Sequence, residues 1–384
     1  MRVLIAHNAY QQRGGEDSVV AEEAALLRAH GHEVEQLTAH NDDIVGMSRL
    51  SLAAGTAWST ASAQEMRARC AAFRPDVVHV HNSFPLLSPS IHWAAQEAGV
   101  PVVQTLHNFR LLCPQAMLLR NGQVCEDCVG RLPWRGAVRG CYRGSVAQSA
   151  VLAGMLVLHR GLGTWERKVN RFIALNEFCR NKFIQGGLPA SRVVVKPNFV
   201  DLPAPPQRER RGLLFVGRLS PEKGLGVLAE AARSLAEAVT VVGAGPMEQE
   251  LSGAPGLRLS GPLPMNEVLA RMQESSALVM PSVWYENFPR TLVEAWASGL
   301  GVIASRLGAM ADLIEDGVTG LLFEAGNAAS LREKLMWALD HPQEMAAMGQ
   351  RAREHYERHF TATQNLNQLV SIYSDAINEG PRHG

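Results

Sequence analysis

Six cysteines in 384 residues are far too few for a disulfide-stapled scaffold. Charge of either sign is not in excess, since 37 basic side chains balance 37 acidic ones. Disorder and collagen-like structure are excluded by a 46% hydrophobic content with ordinary Gly and Pro. The longest apolar stretch, Ala150 to Leu158, is half of the ~20 residues a membrane span needs. Met1-Arg2-Val3-Leu4-Ile5-Ala6-His7 reads as a buried strand with no long apolar region after its charge. A signal peptide is therefore not expected, and the expectation is a cytoplasmic protein. No repeat of 20 to 50 residues is present.

What is present is enough chain for two domains, each able to bury its own core. Short β-branched runs alternate with helical patterns. In the first half Val3 to Ala6, Val77 to Val80, Val102 to Leu106, Phe172 to Leu175 and Val193 to Val195 read as buried strands. After a Pro-rich, charged linker, Asp201 to Arg211, the alternation restarts with strands at Leu213 to Val216, Val239 to Val242, Leu257 to Leu259, Leu278 to Met280 and Val302 to Ala304. The fold class expected is α/β, two doubly wound domains with helices on both faces of parallel sheets and a cleft at the strand ends. The expected boundaries are a first domain over 1–200 with a four-Cys insertion, a second over 201–364, and a closing helix and frayed tail over 365–384.

Three loops in the second half carry chemistry. The strand Leu213 to Val216 runs into Gly217-Arg218-Leu219-Ser220-Pro221-Glu222-Lys223-Gly224 and then a helix. Two cations beside a helix N-terminus suit a diphosphate; the plain alternative is surface charge in a turn. Val242-Gly243-Ala244-Gly245-Pro246 also follows a strand, but Glu248 stands where a dinucleotide fingerprint needs its third Gly, so hydride transfer is not expected. Finally, Glu286 lies in a loop after a strand and Glu294, eight residues on, lies on the helix that follows Pro289. Carboxylates there accept hydrogen bonds from sugar hydroxyls, and the backbone N–H groups of the helix start suit phosphate or sugar oxygens.

Glu286 with Glu294 resembles the E-x7-E motif of glycosyltransferase family 4, retaining enzymes of the GT-B fold. The resemblance extends through Gly217-Arg218-Leu219, Lys223-Gly224, Ser260-Gly261, Glu294-Ala295-Trp296-Ala297-Ser298-Gly299 and Asp316-Gly317-Val318-Thr319-Gly320 in the family's order. In the first half Arg13-Gly14-Gly15-Glu16 resembles the family's glycine-rich first loop. Thr105-Leu106-His107-Asn108 resembles its His-Asp loop, with Asn108 where the family has Asp. The resemblance implies that Arg218 and Lys223 hold the donor diphosphate and Glu294 the ribose hydroxyls. Glu286, with the N–H groups of Asn287 and Phe288, would orient the transferred sugar. Gly14 and Gly15 would admit the phosphates, and His107 would touch the donor sugar. A UDP- or GDP-sugar donor and a glycan or lipid-linked acceptor follow, as in polysaccharide or cell-envelope glycan synthesis. No cofactor is expected for catalysis, because cations and helix N-termini can stabilise a departing diphosphate and the chain has no Asp-x-Asp motif. A nucleotide-sugar epimerase of the same architecture and a non-catalytic sugar-nucleotide-binding protein are the rival readings.

Other features remain open at this level. His79 and His81 share one strand face; His81 is a candidate acceptor contact, and the bland reading for both, as for His107, is a satisfied histidine. Cys113, Cys125, Cys128 and Cys141 form C-x11-C-x2-C-x12-C, a candidate structural zinc site, with a redox pair or plain thiols as alternatives. Cys70 and Cys179 read as small buried hydrophobes. From Arg110 to Lys182 twelve Lys and Arg face four Asp and Glu. This basic stretch, around the apolar run Ser145 to Trp165, is either a solvated and core-packed surface or a contact with anionic membrane at the inner leaflet. Few aromatics interleave with these charges, so no nucleic-acid partner is expected.

Overall fold

The computed structural model describes residues 1–11, 14–205 and 208–382. Arg13, part of the linker at 206–207 and the last two tail residues lie outside that range. Two compact units are formed: Met1–Leu118 with Glu126–Pro197 and the C-terminal stretch from Asn365, and Leu119–Cys125 with Asn198–Gln364. Both are α/β.

The first unit holds a six-stranded parallel sheet. Its strands are β1 (Arg2–Ala9), β2 (Glu33–His40), β3 (Val77–Asn82), β4 (Val102–Thr105), β7 (Arg171–Ala174) and β8 (Val193–Val195), in the order β2-β1-β3-β4-β7-β8. The antiparallel hairpin of β5 (Leu119–Arg120) and β6 (Gln123–Val124) lies between β4 and β7 in the chain. Central strands such as β1, β3 and β4 are buried along nearly their whole length, which is why they read as continuous apolar runs. The edge strand β2, Glu-Val-Glu-Gln-Leu-Thr-Ala-His, buries only Leu37 and carries too few apolar residues to announce itself.

One face of this sheet is closed by the C-terminal helix Ala362–Glu379. Its Leu366, Leu369, Ile372, Tyr373 and Ala376 share a core with Val3, Ile5, Val103 and Ile173. The stretch from residue 365, expected from the sequence to stand apart as a closing element, is instead a layer of the first unit. A 3.6-residue period shows that the helix has an apolar face, but not which sheet the face meets.

The second unit repeats the plan with β9 (Leu213–Val216), β10 (Val239–Val242), β11 (Leu257–Gly261), β12 (Ala277–Met280), β13 (Gly301–Ser305) and β14 (Gly320–Phe323) in the order β11-β10-β9-β12-β13-β14. In each sheet the strand order reverses beside the first strand of the unit, and loops at the carboxyl ends of strands flank that switch point. Open parallel sheets bind ligands there.

Candidate active site

In the second unit the loop after β9 is shaped by close backbone approaches. Gly224 has φ +73°, and a Cβ there would sit 1.8 Å from the carbonyl oxygen of Pro281. Gly243, after β10, has φ +142°, and a Cβ would sit 1.9 Å from the oxygen of Gly217. The loops after β9, β10 and β12 are thereby pressed together, with Gly217 N–H donating to Val242 and Leu219 N–H to Ala244. Only glycine permits both the dihedral and the contact.

This brings Lys223 onto Glu286: Nζ lies 2.6 Å from Oε1, and Ser282 Oγ donates to the same oxygen at 2.7 Å. Glu286 is buried, and the Lys223 ammonium also lies 5.8 Å from the centre of the Trp284 ring. Glu294 is buried on the helix Arg290–Ala297, where Arg290 Nε donates to its Oε1 at 3.0 Å. Asn287 is buried and Phe288 half-buried just ahead of that helix, whose first residue is Arg290, with Pro289 as its N-cap. Arg218 is exposed at the turn. The second-unit residues expected from the sequence are thus placed in loops on one end of one sheet, with Glu294 on the helix that follows one of them. Ser282 and Arg290, the partners of the two glutamates, were not anticipated; Arg290 had a signal, being four residues before Glu294.

In the first unit a pocket is lined by His81, His107, Asn108, Arg110, Phe84 and Met155 among others. His81 Nδ1 lies 2.9 Å from His107 Nε2. Burial, with His7 and Lys196 adding to it, pushes His107 down to about 3. Beside it, Asn108 donates to Glu16 at 2.8 Å, Tyr10 OH donates to the same carboxylate at 2.9 Å, and burial raises Glu16 above the usual range. Arg110 stacks between Phe84 and Tyr142, at 4.5 and 5.3 Å from the ring centres. Gly14 caps the helix Gly15–Ala29, its N–H donating to Asp17 at 2.7 Å. Neither Gly14 nor Gly15 has a positive φ, and a Cβ at Gly15 would meet nothing within 4 Å.

His79 is fully buried between Tyr373 OH, 2.7 Å away, and Thr105 Oγ1, 2.8 Å away. It is a satisfied histidine of the core. Cys70 and Cys179 are buried. Among the described residues one set of three or more metal-type ligand atoms converges within 4.8 Å, and it is Glu23, His79 and His81. Cys113, Cys125, Cys128 and Cys141, two buried and two half-buried thiols, are not such a set. The apolar run after Ser145 forms the helix Val146–Gly161, which buries Leu152, Met155 and Leu156 and leaves Val146, Val157 and Leu158 exposed. Among the described residues no helix is long and apolar enough to cross a membrane.

Known proteins match both halves. Residues 13–203 fit the family model Glycosyltransferase Family 4, and residues 203–355 fit Glycosyl transferases group 1. Phosphatidyl-myo-inositol mannosyltransferase of Mycobacterium leprae is 26% identical over 416 aligned residues, covering 100% of this chain and 99% of the relative. D-rhamnosyltransferase WbpZ of Pseudomonas aeruginosa is 35% identical over 166 residues, covering 40% of this chain and 44% of the relative. Among solved structures, Anabaena HepE in complex with UDP has a TM-score of 0.68 at 18% identity, covering 97% of this chain and 100% of that one. Sucrose-phosphate synthase from Thermosynechococcus elongatus has a TM-score of 0.70 at 17% identity over 98% and 99%. Two parallel-sheet α/β units with these likenesses are the GT-B fold. The chain belongs to glycosyltransferase family 4, and it is a glycosyltransferase.

Proposed function

We propose that the protein is a retaining hexosyltransferase that moves a sugar from a UDP- or GDP-sugar to a hydroxyl of a glycan or lipid-linked acceptor, in polysaccharide or cell-envelope glycan synthesis. One observation carries the reading: Lys223, Glu286 and the exposed Arg218, in loops at the carboxyl end of one parallel sheet where glycines press the backbone close, stand with Glu294 on the helix that follows one of those loops. UDP is the ligand of the solved HepE structure, and the relatives are named for mannosyl and rhamnosyl transfer.

In this reading Arg218 and Lys223 take the diphosphate, whose negative charge grows as the sugar departs, so their attraction is strongest in the transition state. Glu294 accepts the ribose hydroxyls. Glu286 keeps one oxygen on Lys223 and Ser282 and turns the other to the sugar, assisted by the N–H groups of Asn287 and Phe288. Gly14 and Gly15 leave room for the phosphates, and His107 offers its imidazole to the transferred sugar. Catalysis then needs no metal ion, and EDTA leaves the rate unchanged.

The acceptor is met at a membrane surface. Leu132, Trp134, Val138 and Val146 are all more than half exposed. They alternate with Arg131, Arg135, Arg139 and Arg143, of which Arg135 and Arg139 share the single carboxylate of Asp127. Apolar side chains set among net positive charge suit an anionic leaflet. A structural zinc on Cys113, Cys125, Cys128 and Cys141 is proposed on their spacing alone, and elemental analysis of reduced protein tests it.

The deciding experiment is calorimetry across UDP- and GDP-sugars, followed by proton NMR of the product's anomeric centre. One donor binding far above the rest, and a product of unchanged anomeric configuration, is the expected outcome. An inverted product overturns retention, and binding of no nucleotide sugar overturns the whole reading.

A further inference from the structure

Behind His107 lies a row of buried polar groups for which the transfer chemistry above has no use. Lys196, on the residue after β8, places Nζ 2.6 Å from Glu23 Oε1, and both side chains are fully buried. The other carboxylate oxygen, Glu23 Oε2, faces His81 Nε2 at 3.6 Å. The separation is too long for a hydrogen bond, and both atoms are buried with no hydrogen-bond partner among the described residues. His81 Nδ1 then meets His107 Nε2 at 2.9 Å, with the two rings 5.2 Å apart and within 18° of parallel. The row runs from Lys196 through Glu23 to His81 and His107, both of which line the pocket.

Glu23, His79 and His81 offer converging ligand atoms, yet their surroundings suit a proton network better than a cation. The Lys196 ammonium already neutralises Glu23, and a second positive charge beside it is disfavoured. Both ring nitrogens of His79 are held by Tyr373 and Thr105.

We propose that Glu23 and His81 are positioning residues that fix His107 in one tautomer, with its proton on Nε2 and its lone pair on Nδ1. The inference rests on the placement of His107 at the transferred sugar. A lone pair on His81 Nε2 would face the Glu23 carboxylate with both groups buried, so the proton resides on Nε2 and points at Glu23. His81 Nδ1 is then an acceptor. A hydrogen bond to it must be donated by His107 Nε2, which leaves Nδ1 of His107 as an acceptor, and among the described residues no hydrogen bond engages that atom. The network stays neutral at its imidazoles, because burial, reinforced by the neighbouring imidazoles and the Lys196 ammonium, lowers His81 and His107. The groups facing the pair are His7 with Asp17 from β1 and its following helix, Glu23 from that helix, His79 from β3 and Lys196 after β8. An imidazole held in this state accepts a hydrogen bond from a sugar hydroxyl and donates none to the departing phosphate.

The test is nitrogen-15 NMR of the histidine rings in the full chain, beside steady-state kinetics. In the wild type, His107 is expected to show a protonated Nε2 and an unprotonated Nδ1 throughout pH 6 to 8; a proton on Nδ1 overturns the proposal at once, whatever the enzyme turns over. His81→Phe keeps a ring and removes the acceptor. It is expected to release the tautomer lock and lower kcat about tenfold with donor KM within twofold. Glu23→Gln combined with Lys196→Met removes both charges together and is expected to shift the His107 signals and lower kcat less. Unchanged His107 signals in both variants overturn the relay. His107→Ala separates the two claims: full activity there removes His107 from the site while leaving the tautomer measurement valid on its own.

Discussion

The two units have the same sheet plan but keep their charges in opposite ways. In the second, Lys223 and Glu286 pair at the mouth of the strand ends, with the lysine side chain 27% exposed. In the first, Lys196 and Glu23 pair at 0% and 1% exposure. A pair at a mouth can be opened by an incoming phosphate, because the ammonium exchanges one anion for another. A pair sealed in the core cannot, and what it can do is hold neighbouring protons in place. In the reading proposed above, similar chemistry on similar sheets serves binding in one unit and order in the other.

The sharpest way to break this contrast is to remove each lysine. Lys196→Met leaves the Glu23 carboxylate buried and unpaired, and losing one partner of a buried pair costs ~3 to 5 kcal/mol. Lys223→Met strands a carboxylate that Ser282 still contacts and water can approach, so the stability loss should be ~1 kcal/mol or less. Turnover should show the reverse emphasis, with Lys223→Met reducing kcat roughly 100-fold. Urea titration of both variants beside their kinetics reads the two effects. Equal destabilisation by the two substitutions would sink the distinction.

Acid should separate the units next. Burial holds His92 at about 4 and His107 at about 3, and keeps His79 and His81 well below 6.5. All four belong to the first unit; the second has His355, lowered to about 4 by burial and by His359. The folded values lie below the unfolded one, so below pH 6.5 the unfolded chain binds protons that the folded chain refuses. Stability is therefore retained above pH 6.5 and lost as pH falls towards 4, at about 1.4 kcal/mol per pH unit for each of the four first-unit histidines and less for the partly exposed His355. Hydrogen exchange at pH 7 and pH 5 should show protection falling more in β1, β3 and β4 than in β9, β12 and β13. Equal loss in both units would contradict the histidine account.

For donor binding the comparison predicts an effect confined to one unit. Glu294→Ala removes a charged acceptor from the helix Arg290–Ala297 and should weaken nucleotide binding by ~1.5 to 3 kcal/mol. The first unit's exchange pattern should not change. Calorimetry with the preferred nucleoside diphosphate is the measurement, and unchanged affinity would remove Glu294 from the ribose.

How legible each site was in the sequence follows from the same difference. Lys223, Glu286 and Glu294 stand in motifs a few residues long, because one loop or one helix turn carries each proposed contact. Strand starts in the second unit were equally plain: Leu213 to Val216 and Val239 to Val242 are the strands observed. Glu23, His81 and Lys196 meet only after separate elements fold together; Glu23 and Lys196 alone read as ordinary polar residues, and His81 showed only as a candidate acceptor contact. Glu23 in particular sits on a helix whose neighbours at 22 and 16 are also acidic, so nothing in the pattern sets it apart as buried. The β2 edge strand and the seat of the C-terminal helix escaped for a related reason: both are defined by what they pack against, and a period in one segment does not name its partner.

The smallest effect expected distinguishes two kinds of glycine. Gly224 is fixed by fold, since φ is +73° and a side chain would collide with the Pro281 carbonyl. Gly15 has open space around its missing Cβ and begins a helix, so Gly15→Ala should leave stability the same or raise it by ~0.5 to 1 kcal/mol through a less disordered unfolded chain. If Gly15 is there to admit the donor's phosphates, the same methyl group should raise donor KM several-fold while Tm holds or rises. The two readouts move in opposite directions only when the space serves a ligand rather than the fold. A Gly15→Ala enzyme with unchanged KM would show that the first loop does not close on the phosphates, and would leave their binding to Arg218 and Lys223.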